Sequence, residues 1–179
     1  FQRVPWLYDA KILVGDILTE LGSRRREAGD LDGAWENYRA AETAYGDAIR
    51  IAESDARGYR DLCEVCSREL YMEIHGRGSD LEQINAKALK ACDEALQVDP
   101  DAADTWVKVA RLHSSWAGYW ARRGMDPSED LEISISALDR VLKADPRDAD
   151  AHANLALAYW ERAKYESEHG KDAMDSLQA

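Results

Sequence analysis

Three glycines, Gly78, Gly124 and Gly170, stand 46 residues apart, and an aspartate follows each by two: Asp80, Asp126 and Asp172. The pairs Asp99-Pro100 and Asp145-Pro146 keep the same interval, as do Asp104 and Asp150. A fixed period of this size constrains a fold more than any composition does. It means one supersecondary unit used repeatedly, each copy burying its apolar side against the next.

Between these marks the apolar pattern is helical. One strip runs Trp106, Val109, Ala110, His113. Forty-six residues later come His152, Leu155, Ala156 and Tyr159, and 47 residues earlier Tyr59, Leu62, Cys63 and Cys66. Lys11, Val14, Gly15 and Leu18 are a fainter copy. Steps of three, one and three put such residues on one helical face. The third member is always small, so a second helix can approach closely there. That second helix has its own strip: Ala41, Tyr45, Ala48, then Ala88, Cys92, Ala95, then Ser134, Leu138, Val141. A fourth copy would start just past residue 179. The spacing predicts eight helices in four pairs, at 8–27 and 33–53, 56–75 and 81–98, 103–123 and 127–144, 149–169 and 172–179. The units span about 8–53, 56–98, 103–144 and 149–179 of a single repeat domain, the last unit truncated. No stretch alternates with period two, so the chain is expected to be all-α, without β-strands.

The formal net charge is -12. Phosphate backbones and anionic lipid surfaces attract basic faces, so the expectation is no nucleic acid and no membrane as partner. No apolar run approaches the ~20 residues of a transmembrane helix. The opening "FQRVPWLYDA" has no initiator Met and no signal-peptide pattern, which suggests a piece of a longer protein. Three cysteines are an odd number, so reduced thiols and a cytoplasmic setting are expected.

"RRGMDPSEDL" (122–131) gathers Asp126, Glu129 and Asp130, yet each residue reads as folding punctuation. Gly124 suits the left-handed position past a helix end. Arg122 and Arg123 complement the dipole of the helix they close. Asp126 is expected to cap the next helix, with Pro127 at its first position and Glu129 completing a capping box. "GDLDG" (29–33) lacks the ligands of a calcium loop and reads as a turn. "CEVC" (Cys63, Cys66) has no second ligand pair for zinc, and both cysteines fall on the inward strip, where thiols pack as small hydrophobes. His75, His113, His152 and His169 have no nucleophile at a suggestive spacing. The expectation is therefore no catalytic residue, no metal and no cofactor. Trp116, Tyr119 and Trp120 cluster in one helix, with Trp160 and Tyr165 one unit later; such aromatics either pack the lengthened helices or offer an exposed anchor.

The paired strips, the Asp-Pro before the next unit and the Gly-Asp turn resemble the tetratricopeptide repeat (TPR). "DAADTWVKVARLH" (101–113) and "DADAHANLALAYW" (148–160) are the best copies, and "GDLDGAWENYRAAETAYGDA" (29–48) resembles a turn and second helix. The family's unit is about 34 residues; here the extra dozen lengthens the helices around the turn. The resemblance implies a right-handed superhelix, an α-solenoid of about four stacked antiparallel helix pairs, with the first helices lining a concave side. The period, "VPWLYDAKILVGD", "WARRGMDPSEDL" and "YESEHGKDAMDSL" also resemble the C-terminal repeat region of bacterial eukaryotic-like serine/threonine protein kinases. No glycine-rich loop, H-R-D or D-F-G is present, so the resemblance extends at most to a regulatory or docking region.

On such a fold the outward positions of the first helices are Asp9, Ile12, Asp16; Arg57, Arg60, Glu64, Arg68; Asp104, Val107, Arg111, Ser115; and Asp150, Ala153, Leu157, Trp160, Lys164. The expected groove set is Arg57, Arg60, Glu64, Arg68, Arg111, Ser115, Trp160 and Lys164. Arginine forks suit carboxylates and phosphates, so a protein or peptide with acidic or phosphorylated groups is the expected partner. Two other readings stand beside this scaffold. One is self-association, a homodimer through uncapped terminal helices, with Leu177 of the last helix exposed. The other is an enzyme with an unrecognised site.

Overall fold

A computed structural model describes residues 5–76 and 80–170. These form seven helices and no strand: α1 (Pro5–Glu27), α2 (Leu31–Ile51), α3 (Ala56–His75), α4 (Leu81–Val98), α5 (Ala103–Ala121), α6 (Ser128–Ala144) and α7 (Ala149–Glu168). The expected eighth helix, with Leu177, lies outside the described residues, as does Gly78. The chain divides into two compact units, Phe1–Asp101 with α1–α4 and Ala102–Ala179 with α5–α7. Each is described by itself.

The helix starts follow from side-chain capping. Asp30 accepts from the Gly33 N–H at 2.9 Å, Asp55 from Arg57 N–H at 2.9 Å and Asp148 from Ala151 N–H at 2.8 Å. Each bond satisfies one of the donors that a helix start leaves unpaired. Gly29, Gly124 and Gly170 hold the left-handed backbone, with φ of +82°, +72° and +69°. The α6 start differs in detail. The helix begins at Ser128, one residue later than expected. Asp126 instead accepts both the Ser128 N–H, at 3.0 Å, and its hydroxyl, at 2.5 Å. Asp130 is drawn off to His113 Nδ1 at 2.8 Å.

All nine second-helix strip positions are buried: Ala41, Tyr45, Ala48, Ala88, Cys92 and Ala95 in the first unit, Ser134, Leu138 and Val141 in the second. The first-helix strips hold in α3 and α5, where Cys63, Cys66, Val109 and Ala110 are buried. In α7, His152 and Ala156 are exposed.

The α1 strip is corrected. Val14 is exposed, and Ile12, expected to face outward, is buried. α1 turns Tyr8, Ile12, Gly15, Thr19, Gly22 and Ser23 inward instead. The reason is that α1 is apolar on more than one side, so a short strip does not fix its rotation. Hydrogen bonds do: the Tyr45 hydroxyl reaches Asp16 (2.9 Å) and Thr19 (3.2 Å), and the Tyr38 hydroxyl reaches Ser23 (3.2 Å). Val107, also expected outward, is buried because α5 inserts most of its circumference into the second unit, with Thr105, Val109, Leu112 and Trp116 buried as well.

The thiol expectation is corrected too. Cys63 of α3 and Cys92 of α4 form a disulfide, with Cα atoms 4.6 Å apart, and Cys66 alone is a buried free thiol. The cysteine count therefore gives no argument for a reducing compartment. No described helix is long and apolar enough to cross a membrane.

Candidate functional site

The expected groove residues fall into two groups, one per unit. In the first unit all four sit on α3 and already hold neighbours. Arg57 donates to Asp9 at 2.7 Å and lies 4.9 Å from the Tyr8 ring centroid. Arg60 stands 3.7 Å from Asp61. Arg68 donates to Glu64 at 2.7 Å and to the Ser23 hydroxyl at 2.6 Å. Arg57 and Arg68 thus tie α3 to α1 across 48 and 45 residues of chain. Their charge is largely spent on the fold.

In the second unit the arrangement is more open. Arg111 of α5 donates to Asn154 of α7 at 3.1 Å and stands 3.7 Å from Asp150. Ser115 is half-buried one turn further along α5. On α7, Leu157 and Trp160 are 49% and 52% exposed, one helical turn apart. Lys164 Nζ stands 5.5 Å from the Trp160 ring centroid. Beside them, the C-terminal half of α5 and α7 enclose a cleft of about 170 Å³ lined by Gly118, Ala121, Arg122, Glu161, Lys164, Tyr165 and Glu168. The small Gly118 and Ala121 leave the room for it. The other aromatics pack: Trp116 and Tyr165 are buried, Trp116 stacks on Tyr119 at 5.0 Å, and Trp120 meets both edge-on. Of the five aromatics singled out by the sequence, Trp160 is the exposed one.

A third constellation lies inside the first unit. Lys87 of α4 donates to Glu42 of α2 and to Glu69 of α3, and Glu69 is fully buried. The Cys66 thiol stands 3.7 Å from Glu42. Burial, reinforced by the Glu42 carboxylate, pushes Glu69 up to about 8. Burial also raises Glu42, but its bonds with Glu69 and Lys87 outweigh that and hold it below the ordinary glutamate value. Burial, then the same carboxylate, raises the Cys66 thiol. At neutral pH Glu69 therefore keeps its proton and the cluster holds one carboxylate against one ammonium, the arrangement buried charge requires. Glu42, Cys66 and Glu69 place ligand atoms within 4.8 Å of one another, as a cation site would; the Lys87 ammonium supplies the positive charge there. Lys87 also lines a cleft of about 490 Å³ with Trp35, Arg39, Glu73, Asp80, Gln83 and Ile84.

With this geometry in hand, the comparisons with known proteins bear on the fold. No protein-family profile matches the chain. No curated protein matches it. Among solved structures it is similar to the first TPR domain of the human RPAP3 protein, determined by NMR, at 14% identity and a TM-score of 0.57, covering 86% of this chain and 96% of that one. The fold is TPR-like.

Within that TPR-like fold, the expected Arg111, Ser115, Trp160 and Lys164 lie on α5 and α7, and Arg122, Glu161 and Tyr165, which line the cleft with Lys164, were not among the expected residues. Their signal was the small pair Gly118 and Ala121 at a three-residue step near the end of α5, which opens space between neighbouring first helices. Glu42, Glu69 and Lys87 were not expected either. The only trace of those in the sequence is a glutamate, Glu69, on the side of α3 where Val65 and Met72 are buried.

Proposed function

We propose that the chain is a non-catalytic protein-binding scaffold whose contact surface in the second unit is the face shared by α5 and α7. The observation that carries this is Trp160. A tryptophan half in solvent, one turn from a half-exposed leucine, on helices whose other large apolar residues are buried or half-buried, is the composition of a binding hot spot. Lys164 stands 5.5 Å from its ring, and Arg111 and Arg122 lie on the same two-helix face among Asp150, Glu161 and Glu168. A peptide or protein segment that combines an apolar or aromatic side chain with carboxylate or phosphate groups suits this surface. Arg57, Arg60, Glu64 and Arg68 extend the reading to the first unit, where their mutual pairing makes them a weaker contact. A role as the docking region of a bacterial signalling kinase fits the same reading and is carried by the sequence resemblance alone.

The test is a comparison of captured proteins. Wild type and a Trp160→Ala, Arg111→Glu variant, matched by thermal melting, are immobilised and exposed to lysate of the source cell. A protein retained by wild type and lost by the folded variant supports the assignment. Equal retention by both moves the contact to another face.

A further inference from the structure

The buried cluster of the first unit has no counterpart in the other copies of the repeat. The steps of 47 and 46 residues that align the second helices put Leu89 at the position of Glu42 and Ile133 at that of Lys87. On the first helices, the step from Cys63 to Ala110 puts Trp116 at the position of Glu69 and His113 at that of Cys66, and the step from Gly15 to Cys63 puts Leu21 at that of Glu69. Three of the four positions are thus apolar elsewhere, so the fold has no need of charge in them. A buried ionic cluster is at best neutral for stability beside well-packed apolar residues. Packing does not explain it.

Its polar atoms converge on one point. The Lys87 ammonium donates to Glu42 Oε1 and to Glu69 Oε2 at once, which marks a cation position between the two carboxyl groups. The Cys66 sulfur stands 3.7 Å from the same Glu42 oxygen. A tetrahedral ion with sulfur at about 2.3 Å and oxygen at about 2.1 Å sets those two ligands about 3.6 Å apart. The Glu69 side chain is fully buried, and no donor among the described residues reaches its Oε1. Access comes from the cleft of about 490 Å³, which Lys87 lines with Trp35 and Asp80.

We propose that Glu42, Cys66 and Glu69 bind a thiophilic divalent cation of the zinc class, and that Lys87 is the displaceable occupant of that position. Two carboxylates and a thiolate suit such an ion, whereas magnesium and calcium take oxygen ligands. Water from the cleft completes the coordination. The Lys87 side chain is 38% exposed and its Nζ already stands 6.0 Å from the Trp35 ring centroid, so the ammonium withdraws into the cleft without unfolding α4. The exchange balances: one divalent cation enters, the Glu69 acid and the Cys66 thiol each release a proton to solvent, and the charge of the cluster is unchanged. The bound ion joins α2 to α3 directly, where Lys87 otherwise bridges them from α4. This site is independent of the α5–α7 face.

Cobalt(II) is the probe, because a thiolate bonded to it gives a near-ultraviolet charge-transfer band that oxygen ligands do not. With Cys63 and Cys92 joined, Cys66 is the thiol that can give it. The intact, metal-free chain is titrated without reductant, first with cobalt(II) and then with zinc(II). The band should saturate at one cobalt per chain, fall as zinc is added, and be lost in Cys66→Ser. Zinc should raise the melting temperature of wild type and leave that of Cys66→Ser unmoved. Lys87→Met removes the occupant and should bind more tightly than wild type; its melting temperature, lowered in chelator by the unpaired Glu42, should be restored by zinc. The proposal is overturned by a wild type that gives no band, by a band that Cys66→Ser leaves unchanged, or by a band that appears only in Lys87→Met, which would make the ammonium a permanent resident. None of these outcomes bears on the α5–α7 surface.

Discussion

Gly15 lies inside α1, where alanine is ordinarily the better helix former by about 1 kcal/mol. We predict that Gly15→Ala destabilises the protein. A Cβ there would stand 2.6 Å from Cδ1 and Cζ of Tyr45 and closer still to Cε1, whereas carbon atoms rest about 3.5–4.0 Å apart. The ring has nowhere to go. Tyr45 is 2% exposed, and its hydroxyl is fixed by Asp16 at 2.9 Å and Thr19 at 3.2 Å. Moving it strains both bonds, worth about 1 kcal/mol each, and forcing volume into a packed core costs about 1–3 kcal/mol. Against the helix-propensity gain, the net loss is about 2 kcal/mol. Gly46, inside α2, is the control: a Cβ there meets nothing nearer than Arg50 Nη1 at 4.0 Å, so Gly46→Ala should gain about 0.5–1 kcal/mol. Urea unfolding followed by circular dichroism reads both, as midpoint changes at constant m. If Gly15→Ala is as stable as wild type, or if the two substitutions move the midpoint the same way, the close approach of α1 to α2 is wrong.

The buried Glu69 makes stability depend on pH. Its ordinary value is 4.5 and the fold raises it to about 8, so the folded chain keeps a proton that the unfolded chain has lost, and stability falls as pH rises across that interval. Glu69→Gln imitates the protonated acid and should flatten the decline; equal pH slopes in urea midpoints of variant and wild type would dismiss this account. The disulfide closes a separation of 29 residues, for which chain-entropy arguments give about 3 to 4 kcal/mol. Reductant should lower the urea midpoint accordingly, and the unfolded, unreduced chain should titrate one thiol, whereas three would mean that Cys63 and Cys92 are not joined.

How much of this was legible in the sequence depended on how one-sided each helix is. α2, α4 and α6 bury one narrow strip, so small and large apolar residues at steps of four and three located all nine positions. α1 is apolar on its inner and outer sides, and side-chain bonds from α2 decide which side turns in; that information sits 15 to 29 residues away in Tyr38 and Tyr45, and 36 away in Asp47. The arginines show the same limit. Arg57 and Arg68 announce positive charge, but whether it is offered to a partner or spent on Asp9 and Ser23 depends on contacts between helices, which no local pattern encodes. On α7 the expected strip fails as well: His152 and Ala156 are exposed with Leu157 and Trp160, and the helix buries Ala151, Ala158, Ala163 and Tyr165 instead.

At the disulfide two sequence rules conflict, and the count of cysteines is the weaker of them. An odd number of cysteines argued for free thiols. The repeat argued otherwise. In the first pair Gly15 of α1 lies against Tyr45 of α2. Adding 48 to the first position and 47 to the second gives Cys63 and Cys92, the bonded pair. The third pair places Ala110 and Leu138 at the same positions, and both are buried. The first two pairs therefore set these two positions against each other, and the third buries both. The second copy fills them with two sulfur atoms. A contact shared by every copy constrains neighbours in space, whereas a count of cysteines constrains only how many can remain unpaired. Cys66, whose strip position turns it to Glu42 of the preceding helix, is the one left over.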